Sequence, residues 1–181
     1  RQTMARNATS TSTYLSVSDV PLCLPSVTDS SCHSTLGNLT FIRGVELTSS
    51  NAQFSGLSSL TARGIPADKL IAINDFGTWI EFPRRPPVGQ DTAVATIAPL
   101  KGVDGNVLDP ARKIESDSEA VASDDANGAF LVSFERNQRI WRYHSYGSAG
   151  PLTSIAFDVG VNVTAALAIC NGQGGNNGVE A

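Results

Sequence analysis

The sequence predicts an all-β protein of the β-propeller type, with about two four-stranded blades and the start of a third. Three observations point there. Short apolar runs are separated by Asp/Asn/Gly clusters, as in antiparallel meanders. No segment carries a helical period. A faint repeat also runs through the chain. Gly56-Leu57-Ser58-Ser59-Leu60 lies over Asp117-Ser118-Glu119-Ala120-Val121, and that stretch over Gly178-Val179-Glu180-Ala181, each time at an offset of 61 residues. Ile71-Ala72-Ile73-Asn74-Asp75 lies over Leu131-Val132-Ser133-Phe134-Glu135 at an offset of 60. A unit of that length with about four strands matches a propeller blade, somewhat longer than usual. The competing architecture is a β-sandwich whose strands resemble one another by composition; the constant offset favours the propeller.

Residues 1–38 are rich in Ser and Thr, and only Tyr14-Leu15-Ser16-Val17 reads as a strand. They form an N-terminal extension or edge strand, followed by a loop that a Cys23–Cys32 disulfide could close, depending on compartment. The expected propeller part spans residues 39–181. Leu39 to Leu47 alternates as a strand, Gln53 to Leu60 is a second short run, and Lys69 to Asn74 is a fully apolar strand closed by Asp75-Phe76-Gly77. Thr78 to Phe82 leads into the Arg84-Arg85-Pro86-Pro87 loop, and Thr92 to Leu100 gives a further strand. Gly102 to Arg112 is a turn-rich connection. The most complete meander runs from Asp117 to Tyr143. Ala120-Val121-Ala122 and Phe130 to Phe134 are its first two strands, Asp124 to Gly128 the turn between them, Glu135 to Gln138 a polar corner, and Arg139 to Tyr143 a third strand. Thr153 to Val159 and Val163 to Ile169 follow as strands. Because the third repeat begins only at the last residues, the remaining blades are expected in a longer protein.

The bulk numbers exclude several classes. A net charge of −4 with one small basic cluster, Arg84-Arg85, argues against a nucleic-acid surface. No run approaches 18 apolar residues, so no transmembrane helix is predicted. Cys23, Cys32 and Cys170 lack a C-x-x-C spacing, which leaves zinc unsupported. His33 and His144 share no motif with Ser or Cys, and G-x-S-x-G is absent, so a serine-hydrolase triad has no support either. A non-cytosolic setting (secreted, periplasmic or an organelle lumen) is expected.

Five motifs in order, FSGLSSL, LIAINDFGTW, DSEAVA, FLVSFERNQRIWRY and NNGVEA, resemble the phytase-like family, described as having esterase-like activity. The resemblance covers about residues 39–181, with SFERNQRIWRY its most specific part. It implies a propeller-like fold whose acidic residues carry phosphoester or phosphodiester hydrolysis. Two departures matter: Asn74-Asp75-Phe76-Gly77 stands where the family more often has Ser-Asp-Arg-Gly, and the C-terminal half of the family's domain is expected beyond this sequence. With Phe76 in place of Arg, a natural phosphate clamp is missing.

On the repeat, Glu119 and Glu180 share a position on successive inner strands, and Asp75 and Glu135 share the end of the second strand. Asp117 enters beside Glu119. Carboxylates converging on one axis repel unless a cation sits among them. Oxygen-only donors favour Ca²⁺ or Mg²⁺. The expected catalytic set is therefore Glu119, Glu135, Glu180 and Asp75, the metal ligands Asp117, Glu119 and Glu180, and Arg136 a binder of phosphate oxygens on a small phosphoester. The bland alternative is equally concrete. Acids at strand ends accept hydrogen bonds from neighbouring backbone N–H groups, and the chain could be a non-catalytic propeller, an interaction or accessory subunit whose protein partner covers open blade edges. The sequence leaves catalysis open between these two.

Overall fold

The computed structural model describes residues 9–20, 24–25, 32–33, 35–36, 38–63, 68–86, 90–144 and 151–158. Strand β1 (Thr11–Val20) turns Leu15 and Val17 inward and the residues beside them outward. Two short ribbons follow, β2 (Leu24–Pro25) with β3 (Cys32–His33), and β4 (Thr35–Leu36) with β5 (Leu39–Thr40). Then come β6 (Gly44–Thr48), β7 (Leu57–Arg63), β8 (Lys69–Asn74), β9 (Thr78–Pro83) and β10 (Thr92–Pro99). A single helical turn, α1 (Lys113–Ser116), leads into β11 (Ser118–Asp124), β12 (Ala129–Phe134), β13 (Arg139–His144) and β14 (Ala156–Asp158).

These strands make two main sheets, a six-stranded one in the order β6-β1-β10-β9-β8-β7 and a four-stranded one in the order β11-β12-β13-β14. The protein is all-β with propeller-like curvature, the larger sheet curling on itself. Strands β7 to β10 and β11 to β14 are each an up-and-down antiparallel meander. The first meander is widened on its outer side by β1 and β6. The Ser/Thr-rich strand expected at an edge therefore has neighbours on both sides, pairing Tyr14 with Val94 and Val17 with Leu47. Its alternation of small polar and buried apolar residues suits an interior position.

The repeat appears in the hydrogen-bond register. Between β7 and β8 the pairing shifts between Leu57 and Ser59, and between β11 and β12 it shifts between Ser118 and Ala120. Ser58 and Glu119, equivalent in the sequence repeat, are thus the extra residues of two matching β-bulges. Bulges of this kind bend the strand and re-aim a side chain.

Successive residues on a strand face opposite ways, so the apolar run in β8 serves two cores. Ile71 and Ile73 join Trp79, Val121, Phe130, Val132, Phe134 and Tyr143 in a cluster formed by residues of both sheets. Ala72 belongs instead with Leu15, Val17, Ile80, Phe82 and Ile97 in a second cluster. Trp79 is fully buried and meets Tyr143 edge-on at 5.2 Å between ring centres. Trp141 packs against the same cluster while staying partly exposed.

Two turns match the sequence reading: Lys101 pairs with Val107 across Asp104-Gly105-Asn106, and a 3-10 turn at Asp125–Asn127 joins β11 to β12. The strand expected from Thr153 to Val159 is shorter, starting at Ala156 after a 3-10 turn at Pro151–Thr153. Proline at the head of that turn fixes φ and has no N–H to give a ladder. Cys23, Cys170, Glu180 and the run from Val163 to Ile169 lie outside the described residues. Among the described residues no helix is long and apolar enough to cross a membrane.

Candidate functional site

The two meanders lie with their inner strands β7 and β11 against each other, and the Ser118 hydroxyl donates to the Asn74 carbonyl at 2.6 Å. The same backbone hydrogen bond closes both units at this end. Asp75 N–H donates to the Gly56 carbonyl at 3.1 Å, and Glu135 N–H donates to the Asp117 carbonyl at 2.9 Å. Residues 56, 75, 117 and 135 are thereby drawn to one end of the paired sheets.

One carboxylate oxygen from each of Asp117, Glu119 and Glu135 lies within 4.8 Å of the others. Asp117 and Glu135 are buried, and Glu119, carried by the bulge, is half-buried. Two cations attend the group. Arg136 holds a left-handed conformation (φ 58°), unusual outside glycine, and its Nε donates to Asp117 Oδ2 at 2.6 Å. Lys113, from α1, donates to Asp117 Oδ1 at 3.0 Å and to Asp75 Oδ2 at 2.7 Å. Asp117 thus receives one cation on each oxygen, and Lys113 ties Asp75 to the cluster. The Lys113 ammonium also stands 5.1 Å from the centre of the Phe76 ring, within reach of a cation–π contact. Asp75 Oδ1 is buried with no hydrogen-bond partner among the described residues.

Asn74 fixes the turn that carries Asp75 and Phe76. Its side-chain amide donates to the carbonyls of Gln53 (2.9 Å) and Ser55 (3.2 Å), and its side-chain oxygen accepts from the N–H groups of Phe76 (3.2 Å) and Thr78 (3.0 Å). The Asn74 side chain thus reaches both a loop and a turn. Gly56 is required where it stands. Its φ is +58°, and a Cβ there would collide with Asp75 Oδ1.

Burial and charge set the protonation of the group. Burial works to raise the Asp117 carboxyl, but hydrogen bonds and charge from Arg136 and Lys113 outweigh it and hold the group below its ordinary range. Burial likewise works to lower Lys113, and its bonds to Asp75 and Asp117 more than offset this. Glu119 goes the other way: burial pushes its carboxyl up, and the negative charges of Asp117, Glu135 and Asp75 add to the shift. The hydrogen bond and charge of Asp117 keep Arg136 firmly protonated.

Of the residues singled out in the sequence, Asp75, Asp117, Glu119, Glu135 and Arg136 fall in one neighbourhood; Glu180 lies outside the described residues. Lys113 escaped the sequence reading. Its signal was the (i, i+4) spacing to Asp117, which acts only if residues 113–116 form a helical turn. The cluster's donors are all oxygens, and burial together with the negative charges of its neighbours pushes the Glu119 carboxyl up. Both properties suit a bound metal ion.

Comparisons with known proteins complete the picture. A family model, Phytase-like, described as esterase-like activity of phytase, matches residues 52–181. No curated protein and no solved structure gives a significant match. The matched stretch holds both meanders, both bulges and every residue of the acidic cluster. The chain belongs to the phytase-like family.

Proposed function

We propose that this chain carries a cation-assisted phosphoester or phosphodiester hydrolase site. The observation that supports it is the convergence of Asp117, Glu119 and Glu135 beside two basic side chains, Lys113 and Arg136. Asp117, Glu119 and Glu135 would hold a Ca²⁺ or Mg²⁺ ion, with Glu180 as a further donor from the next repeat; when bound, such an ion polarises a phosphoryl oxygen. The remaining work falls to the chain itself. Arg136 keeps 46% of its side chain exposed and can present its guanidinium to phosphate oxygens while still bonded to Asp117. Lys113 offers a second positive charge from the opposite side of Asp117. In the reaction a water oxygen bonds to phosphorus and the phosphorus–alcohol bond breaks. A carboxylate of the cluster takes the proton from water, and the departing alcohol is protonated in turn. Asp75, bonded to Lys113, orients that ammonium.

Glu119→Gln preserves shape and removes the charge. Hydrolysis of a generic phosphodiester by this variant should fall by about a hundredfold or more, with the circular dichroism spectrum unchanged. Failure of the full-length protein to hydrolyse phosphoesters with any divalent cation would sink the reading. A second reading is favoured by Lys113 and Arg136 both bonding to Asp117. In it, the ions are a structural knot in a non-catalytic propeller that serves as an interaction or accessory subunit. That reading predicts a co-purifying protein and an effect of Glu119→Gln on stability alone.

A further inference from the structure

We infer that the acidic site takes phosphoesters bearing one apolar group, an aryl or short alkyl chain, and that this group lodges in the cavity walled by Phe76; the inference rests on the hydrolase reading above. The cavity, about 510 Å³, lies between the start of β1, the end of β10 and the segment leading to α1. That size is suited to a small ligand. Phe76, Ile97, Pro99, Leu108 and Pro110 form apolar walls, and none of the described residues lining it is charged.

Two of those walls belong to the segments that build the site. Phe76 directly follows Asp75 and lies under the Lys113 ammonium. Pro110 precedes Lys113 by three residues. A phosphoryl group placed at Lys113 therefore has its ester substituent next to the Phe76 side of the cavity. A phosphoester with one apolar group draws affinity from burying that group against the apolar walls of the cavity.

The test is calorimetric binding of phenylphosphonate and methylphosphonate to the whole chain, with calcium present. Wild type is compared with Thr11→Trp and Ala52→Trp, two exposed positions on the cavity lining where bulk can fill the space. Phenylphosphonate should bind at least about tenfold more tightly than methylphosphonate to wild type. That preference should collapse in either variant, with methylphosphonate affinity unchanged. Equal affinities in wild type, no binding of either compound, or a preference that survives both substitutions would overturn the inference. Its failure is separable from failure of the hydrolase reading. A phenyl preference without turnover of phenyl phosphate esters removes hydrolysis and leaves apolar recognition standing. Turnover of methyl and phenyl esters with equal kcat/KM removes apolar recognition alone.

Discussion

The two meanders close in the same way and carry different chemistry. Each has a bulge one residue into its inner strand and a backbone hydrogen bond from the acid at the end of the second strand. In the first unit the positions are Gly56, Ser58 and Phe76; in the second they are Asp117, Glu119 and Arg136. Gly56 has φ +58°, whereas Asp117 is at φ −66°, so even the backbone has been adjusted to admit a side chain. The second unit holds an ion network, and the first a hydrogen-bonded turn around Asn74. The difference teaches that the bulge and its hydrogen bond define the fold, while the residues mounted on them are open to change.

Substitutions on each side can break or sharpen that contrast. The largest effect is expected from Asn74→Ala, which removes four hydrogen bonds in a buried place. Urea unfolding should show a loss of about 3 kcal/mol, larger than for any single change in the ion network. Gly56→Ala should follow at about 2 kcal/mol, from a strained left-handed residue and displacement of Asp75. Equal stability of this variant and wild type would mean that the first turn tolerates a side chain as readily as the second.

Asp117→Asn should cost about 1.5 kcal/mol at neutral pH, because the amide oxygen can accept from only one of Lys113 and Arg136 and the NH2 faces the other donor. The pH dependence has a definite sign. Asp117 in the folded state titrates below its ordinary value of 3.8, so its stabilisation is present above that pH and is lost as pH falls through the folded value. The gap between wild type and Asp117→Asn in thermal melts should therefore close in acid. The smallest effect is a gain. Glu119 titrates above its ordinary value of 4.5 in the folded protein, so its ionisation weakens the native state as pH rises through and beyond that value. Glu119→Gln should stabilise the protein by about 0.5 kcal/mol at neutral pH, allowing for solvent screening. The gain should vanish below about pH 4.5, and a variant less stable than wild type at neutral pH would contradict this electrostatic account.

Much of this was legible in the residues. The 61- and 60-residue offsets mark the two bulges and two strand ends, because a structural repeat keeps its spacing even when its side chains diverge. The acids at 75, 117, 119 and 135 were found through that spacing. What stayed hidden depends on contacts made far along the chain. Nothing local tells Thr11–Val20 to pair with Thr92–Pro99, some eighty residues later. Lys113 was invisible for a different reason: one helical turn is too short to show a period, yet it places the ammonium between two carboxylates. Asn74 stood out only as part of the Asn74-Asp75-Phe76-Gly77 departure. Its role as the hydrogen-bonding centre of a turn emerges only once Gln53 and Ser55 are brought beside it.

The Ser118–Asn74 bond and the Lys113 bridge cross the same seam between the two meanders. Parting the sheets breaks both at once, so the joint between neighbouring units is held by the same Lys113–Asp117 pair that borders the acidic cluster.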